Sequence, residues 1–361
     1  MVFKDKIFIF LIIAFFILAF FVFDLSQLVQ DEFLNTEKEL VYSKGIYMTY
    51  RTAGNYRADE LLELIKRTEL NSIVIDVKDY TGRIGFDTDS EFINHIGSEK
   101  IYVDDMKALI DKFHDAGIYT IARIVVFEDN YLPRENPDLA LKNSNGSLWR
   151  DNRGLSWLDP ASQEVWDYVV EISREVVKVG FDEINLDYVR FPTDGNISAI
   201  RYPFWDYEIS KKEVIRQFFE YISQRIKPMG VFLSVDLFGY TLTSKTDLNI
   251  GQWLEDAALY VDYICPMVYP SHYPSGHNGL ANPAAYPYET IYDELVVGIE
   301  RLASMSSQAK IRPWLQDFDL GANYDARMIE LQKQAVYDSG AYGWLFWNPR
   351  NVYTEEGLIK E

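Results

Sequence analysis

Residues 161–191 read ASQEVWDYVVEISREVVKVGFDEINLDYVRF, and this stretch decides the fold. An amphipathic run from Ala161 to Val179 predicts a helix. Gly180 follows, where a left-handed residue ends a helix at little cost. A strand then runs from Glu183 to Phe191, with Ile184 and Leu186 on one face and Asn185 and Asp187 on the other. The same alternation repeats in both directions. Strands are predicted at Ile46–Tyr50, Ser72–Asp79, Ile118–Phe127, Val231–Gly239, Tyr263–Tyr269, Ile311–Phe318 and Gly343–Trp347. Helices are predicted at 58–67, 104–115, 210–226, 250–259, 286–304 and 324–339. Gly117 and Gly340 punctuate two more of the joins. Eight strands alternating with helices over about 305 residues imply a (β/α)8 TIM barrel, somewhat longer than the usual ~250. An open doubly wound sheet would carry a Gly-rich turn after its first strand, and the chain has none.

Composition narrows the function. The 361 residues hold 55 acidic against 35 basic side chains, a formal charge of −20. A field of that sign repels phosphate backbones, so no nucleic-acid partner is expected. One cysteine, Cys265, excludes an intrachain disulfide framework, and four histidines leave little for a metal cage. No cofactor and no metal are expected. His272 and His277 flank a turn without a third histidine, and Asp87, Asp89 and Glu91 lack the spacing of an EF-hand loop.

The amino terminus is of another kind. Ile7 to Phe23 are 17 consecutive apolar residues, with Lys4 and Lys6 before them and Asp24, Asp31 and Glu32 after. That length is near the lower limit for crossing a bilayer, and the flanking charges place the amino terminus in the cytoplasm. No small-x-small cleavage site follows Phe23. The expected organisation is a transmembrane signal-anchor helix in 1–23, a stalk in 24–43 and the barrel in 44–361. The barrel then lies outside the cytoplasm, tethered by a single pass; cleavage and secretion is the alternative.

In a barrel of this kind, chemistry gathers at the carboxyl ends of the strands. Parity turns Tyr47, Asp76, Lys78, Arg123, Asn185, Asp187, Ser234, Asp236, Arg312, Trp314 and Gln316 toward the axis. Asp76 is read equally well as a structural partner of Lys78 or Arg123. Asp187 and Asp236 end adjacent strands, where one carboxyl can stay protonated as acid while the other is ionised. That is the equipment for cleaving a glycosidic bond. Asp317 is near the mouth too, although parity turns Gln316 inward and Asp317 away. The aromatic share of 15% exceeds the needs of one core. Trp149, Trp157, Trp205, Tyr269, Tyr273, Trp344 and Trp347 fall in mouth loops or at the last strand, where rings can stack on sugars. The long segment from Glu128 to Pro160 has the length of a lid or binding loop.

Five motifs add a resemblance. Ser72–Asp79 (SIVIDVKD), Glu183–Gly195 (EINLDYVRFPTDG), Ser234–Gly239 (SVDLFG), Ile264–His272 (ICPMVYPSH) and Arg312–Phe318 (RPWLQDF) occur in the order found in a glycosyl hydrolase domain family of bacterial exported barrels, which these motifs resemble. The resemblance covers about Lys44 to Tyr353 and extends distantly to α-amylase-type barrels. It implies Asp187 as nucleophile, Asp236 as acid/base and Asp317 as third acid, acting on a cell-envelope or extracellular polysaccharide. Substrate contacts are expected from the inward Tyr47, Asp76, Lys78, Arg123, Asn185, Arg312, Trp314 and Gln316, and from Arg190, Tyr269, His272, Trp149, Trp157, Trp344 and Trp347. Two features depart from the amylase pattern. The fifth-strand acid is Asp rather than Glu, and Arg190 follows Asp187 instead of preceding it by two. A catalytically silent barrel that binds polysaccharide or scaffolds envelope proteins is the alternative from a different class. An esterase or deacetylase is disfavoured by the absence of a serine elbow and of metal ligands.

If the anchor is retained, cell fractionation finds the full-length chain in the membrane pellet. Amino-terminal sequencing that begins after Phe23, on protein recovered from the medium, would replace the anchor with a cleaved signal.

Overall fold

The computed structural model describes residues 39–305 and 307–359. The expected anchor, Ile7 to Phe23, and residues 24–38 of the stalk lie outside these residues. Among the described residues no helix is long and apolar enough to cross a membrane. The chain divides into Met1–Val41 and Tyr42–Glu361, and every element below belongs to the second unit.

Eight parallel strands close on themselves. They are β1 (Ser43–Met48), β2 (Ser72–Lys78), β3 (Tyr119–Val125), β4 (Glu183–Asp187), β5 (Phe232–Phe238), β6 (Tyr263–Met267), β7 and β8 (Gly343–Trp347). β7 consists of two pieces, Lys310–Ile311 and Trp314–Gln316, separated at Pro313, which has no N–H to give the ladder. Each strand pairs with the next, and β1 pairs with both β8 and β2, which completes the barrel. Around it run α1 (Arg57–Arg67), α2 (Met106–Asp115), α3 (Gln163–Lys178), α4 (Lys211–Ile226), α5 (Leu254–Ala258), α6 (Pro287–Ala303) and α7 (Ala326–Ser339).

Local chemistry sets these boundaries. Asp105, Ser210 and Asp325 cap α2, α4 and α7, each side chain accepting from the backbone N–H three residues on. Ser210 with Glu213 has the sequence of a capping box. Gly343 is required where β8 begins beside β1. Its φ is +87°, and a Cβ there would meet the Ser43 carbonyl oxygen at 2.2 Å.

Two excursions were not assigned as structure by periodicity. After β2 the chain turns back as an antiparallel strand, Ile84–Phe86, and a short helix, Glu91–Ile96, leads to a further strand, Glu99–Val103. The segment after β3 folds on itself through bridges pairing Glu128 with Trp157, Ala140 with Leu158 and Lys142 with Leu148. Leu139, Leu141, Trp149, Trp157 and Leu158 give it an apolar interior.

The barrel axis is layered. Its lower layer centres on an ion pair between Arg312 and Glu183, both fully buried. Glu183 also accepts from Tyr119 at 3.0 Å, and Arg312 donates to Ser43 at 3.2 Å. Arg312 therefore braces the closed end rather than reaching substrate, which corrects its expected role. Its inward parity was right, but its height on the axis was not visible in the sequence. Arg312→Met would leave Glu183 buried without its cation, and the expected loss is about 3–5 kcal/mol of unfolding free energy by urea titration. Adding Glu183→Gln to that variant should recover part of the loss.

Candidate active site

The upper layer of the axis holds the candidate chemistry. Alternation along β4 sets Glu183, Asn185 and Asp187 at rising heights, and along β5 it does the same for Ser234 and Asp236. Register fixes their neighbours: Arg123 lies opposite both Asp76 and Asn185, and Asn185 lies opposite Ser234.

Arg123 is the hub. Its Nη1 donates to Asp76 Oδ1 at 2.6 Å, and its Nη2 and Nε both reach Asp187 Oδ2, Nε at 3.2 Å. The Nε also lies 3.9 Å from Asp236 Oδ2. Tyr47 donates its hydroxyl to the other oxygen of Asp76. Asp236 Oδ1 accepts two N–H groups, from Asn185 at 2.8 Å and from Trp314 at 2.7 Å. Asp187 Oδ1 accepts the backbone N–H of Tyr188 at 2.6 Å. Tyr188 has φ +55°, an uncommon conformation for a large side chain. It ends β4 immediately after the carboxylate and breaks the strand's parity.

Burial governs the protonation of this group. It pushes the Asp236 carboxyl well above the usual carboxylate range, and the charge of Asp187 pushes in the same direction. Burial likewise raises Asp76 to about 6, against the pull of the Arg123 guanidinium. Glu128, in the segment after β3, is pushed up to about 7 by its burial although Arg153 pairs with it.

A cavity of about 440 Å³ opens onto Arg123, Asp187 and Asp236. Tyr269, His272, Trp314, Trp347 and Arg190 line it, as expected for substrate contacts. Tyr188, Phe238, Gly239, Tyr240, Met267 and Tyr273 complete the lining. Parity alone would have turned Tyr188 toward the helices; its left-handed turn brings it to the cavity instead. Gly239 allows the wall to close, because a Cβ there would meet the Tyr273 hydroxyl at 2.2 Å. Tyr269 and Trp347 face each other with ring centroids 5.8 Å apart, and Phe318 packs against both.

Other expected site residues are placed elsewhere. Trp149 and Trp157 are buried inside their own loop, with their indole N–H groups on the Asn196 carbonyl and the Asp151 carboxylate. Trp344 is buried on the outer face of β8 against Tyr337. Lys78 is fully buried and binds Asp129 at 2.8 Å and the Val125 carbonyl at 2.7 Å, which pins the start of the long loop to the barrel. Gln316 ties the loop after β6 to β7 through Ser271 and the Phe318 carbonyl. Asp317 accepts from the Thr354 backbone and hydroxyl, both at 2.8 Å, and does not join Asp187 and Asp236. Its outward parity prevailed over the expected third-acid position. His277 is engaged by Glu294 at 2.9 Å, behind Tyr240 and Tyr273.

A closed parallel barrel with buried carboxyls converging at the carboxyl ends of its strands defines the class of molecule. Within that class, the chain belongs to the family described as "Putative glycosyl hydrolase domain", matched over residues 45–353. Solved structures similar to it include the glycoside hydrolase domain of PgaB (BpsB) from Bordetella bronchiseptica, at 12% identity and TM-score 0.63, covering 88% of this chain and 99% of that one. The C-terminal domain of a protein titled a putative chitinase, from Desulfitobacterium hafniense, is 13% identical with TM-score 0.55, covering 88% and 97%. A hypothetical protein from Ruminiclostridium thermocellum is 37% identical with TM-score 0.49, covering 53% of this chain and 96% of that one. No curated protein matches the chain.

The shift at Asp76 has a measurable sign. Folded Asp76 holds its proton more tightly than the unfolded chain does, so its contribution to stability is full only below the unfolded value of 3.8. It is lost as pH rises through about 6. The Asp76→Asn variant lacks this loss, so its stability relative to wild type should rise by about 2 kcal/mol between pH 4 and pH 7, because the unfolded carboxyl is already half ionised at the lower pH. Urea titrations at the two pH values check it.

Proposed function

We propose that this protein is a glycoside hydrolase acting on an extracellular or cell-envelope polysaccharide, with Asp236 as general acid/base and Asp187 as nucleophile. The observation that carries the reading is the asymmetry of the two carboxyls. Asp236 has one oxygen bound by Asn185 and Trp314, while burial favours its protonated form; among the described residues its other oxygen accepts no hydrogen bond and lies 3.9 Å from Arg123 Nε. Asp187 is ion-paired with Arg123. Two neighbouring carboxyls in different environments are what acid and nucleophile roles require.

In the first step Asp236 gives its proton to the glycosidic oxygen as the C–O bond breaks, and Asp187 bonds to the anomeric carbon. In the second, Asp236 takes a proton from water, whose oxygen displaces Asp187 and restores both groups. The outcome is retention. Arg123 holds Asp187 in place throughout, and Asn185 with Trp314 fixes the rotation of Asp236. Tyr269 and Trp347 offer faces for sugar rings at the cavity. The family assignment supports the reaction class, and the anchor read at Ile7 to Phe23 supports an extracytoplasmic substrate.

Asp187→Asn and Asp236→Asn should each lower turnover about 10²–10⁴-fold in a reducing-end assay over envelope polysaccharides, the scale of lost acid–base or nucleophilic catalysis. Circular dichroism should find both variants folded. With Asp236→Gly, azide should restore turnover and yield a glycosyl azide of retained configuration. Near wild-type turnover in both asparagine variants would remove the assignment.

A further inference from the structure

Arg190 is a buried cation that forms no ion pair with any carboxylate among the described residues. It is 7% exposed and lines the cavity beside Asp187. Its guanidinium lies 4.8 Å from the ring centres of Trp157 and Phe238 and 5.0 Å from that of Tyr188. One nitrogen, Nη1, donates to the Phe191 carbonyl at 3.1 Å and to the Thr193 hydroxyl at 3.4 Å. Among the described residues, Nη2 and Nε have no acceptor. The nearby carboxylates are committed elsewhere: Glu128 to Arg153, Asp187 to Arg123, and Asp194 to the Asn152 backbone.

Burying a guanidinium without a counter-ion is costly, and stacking on rings offsets only part of that cost. A neutral hydroxyl could accept a hydrogen bond from Arg190 but would not neutralise it. An anion does both, and the planar fork suits carboxylate and phosphate oxygens. The cavity lining points the same way. It holds two arginines and two aspartates, whereas the whole chain carries −20. Burial favours the neutral form of Asp236, which tips the lining positive. The outer negative charge is screened beyond about 8–10 Å at physiological salt, so the local cation decides at contact.

We infer that Arg190 receives an anionic substituent, a carboxylate or a phosphate, on a sugar unit bound in this cavity, so that the substrate is an acidic polysaccharide. The inference rests on the glycoside hydrolase reading but is tested by binding. Titration calorimetry on the full chain compares tetragalacturonate with its carboxyl-reduced form, and glucose 6-phosphate with glucose. At least one acidic member should bind tenfold or more tightly than its neutral counterpart; which pair shows the preference separates carboxylate from phosphate. Arg190→Gln should abolish the preference, and Arg190→Lys should keep part of it, which a merely structural arginine would not do. Equal binding within both pairs by the wild type overturns the inference whether or not the variants fold, and so does a preference that survives Arg190→Gln. Hydrolysis confined to neutral polymers would overturn it while leaving the glycoside hydrolase reading intact. An acidic preference lost in Arg190→Gln, without hydrolysis of any polymer, would support the anion site and remove the catalytic reading.

Discussion

The guanidinium of Arg123 stands on the barrel axis with carboxyl groups from three strands around it: Asp76 from β2, Asp187 from β4 and Asp236 from β5. Three buried acids would repel one another and resist ionisation if left alone. One planar cation with donors on several edges binds two of them directly and lies close to the third. The flanking donors are then free to orient single oxygens, Tyr47 on Asp76 and Asn185 with Trp314 on Asp236. Without the guanidinium the mouth of the barrel would hold charges that burial cannot tolerate.

A second ion pair, Arg312 with Glu183, repeats the arrangement one layer lower, and neither residue lines the cavity that Asp187 and Asp236 share. The two layers separate bracing from chemistry. The lower pair takes hydrogen bonds from Tyr119 and Ser234 and gives one to Ser43, with Arg312 Nε left without a partner among the described residues, and it ties β4 to β7 across the axis. The upper group keeps one oxygen of Asp236 without a hydrogen-bond donor among the described residues, next to an open cavity. Backbone strain is found at the same height, at Tyr188, where the left-handed turn gives its N–H to Asp187 and turns the following chain toward Arg190.

The legibility of the site followed strand parity. Parity placed Tyr47, Asp76, Arg123, Asn185, Asp187, Asp236 and Trp314 on the axis, and there they are. It also turned Asp317 outward, and the structure gives that carboxyl to Thr354. Parity does not give height, so Arg312 was expected at the mouth although it sits below. Nor does it apply in loops. Trp149 and Trp157 look exposed in a linear reading because their segment lacks periodicity. Bridges within that segment create a small core, which buries them.

The sequence by itself determined the alternation of strand and helix, the closed parallel barrel it implies, the inward carboxyls and the family. These depend on short-range periodicity, capping and glycine positions, which are properties of neighbouring residues. Only the tertiary structure decided which inward groups share a layer, that one arginine serves three acids, and that Asp236 is buried enough to favour its proton. Only it showed that Arg190 stands among aromatic rings with no ion-paired carboxylate among the described residues. Pairing and desolvation arise between residues tens of positions apart, from strand register and packing, and no local pattern records them.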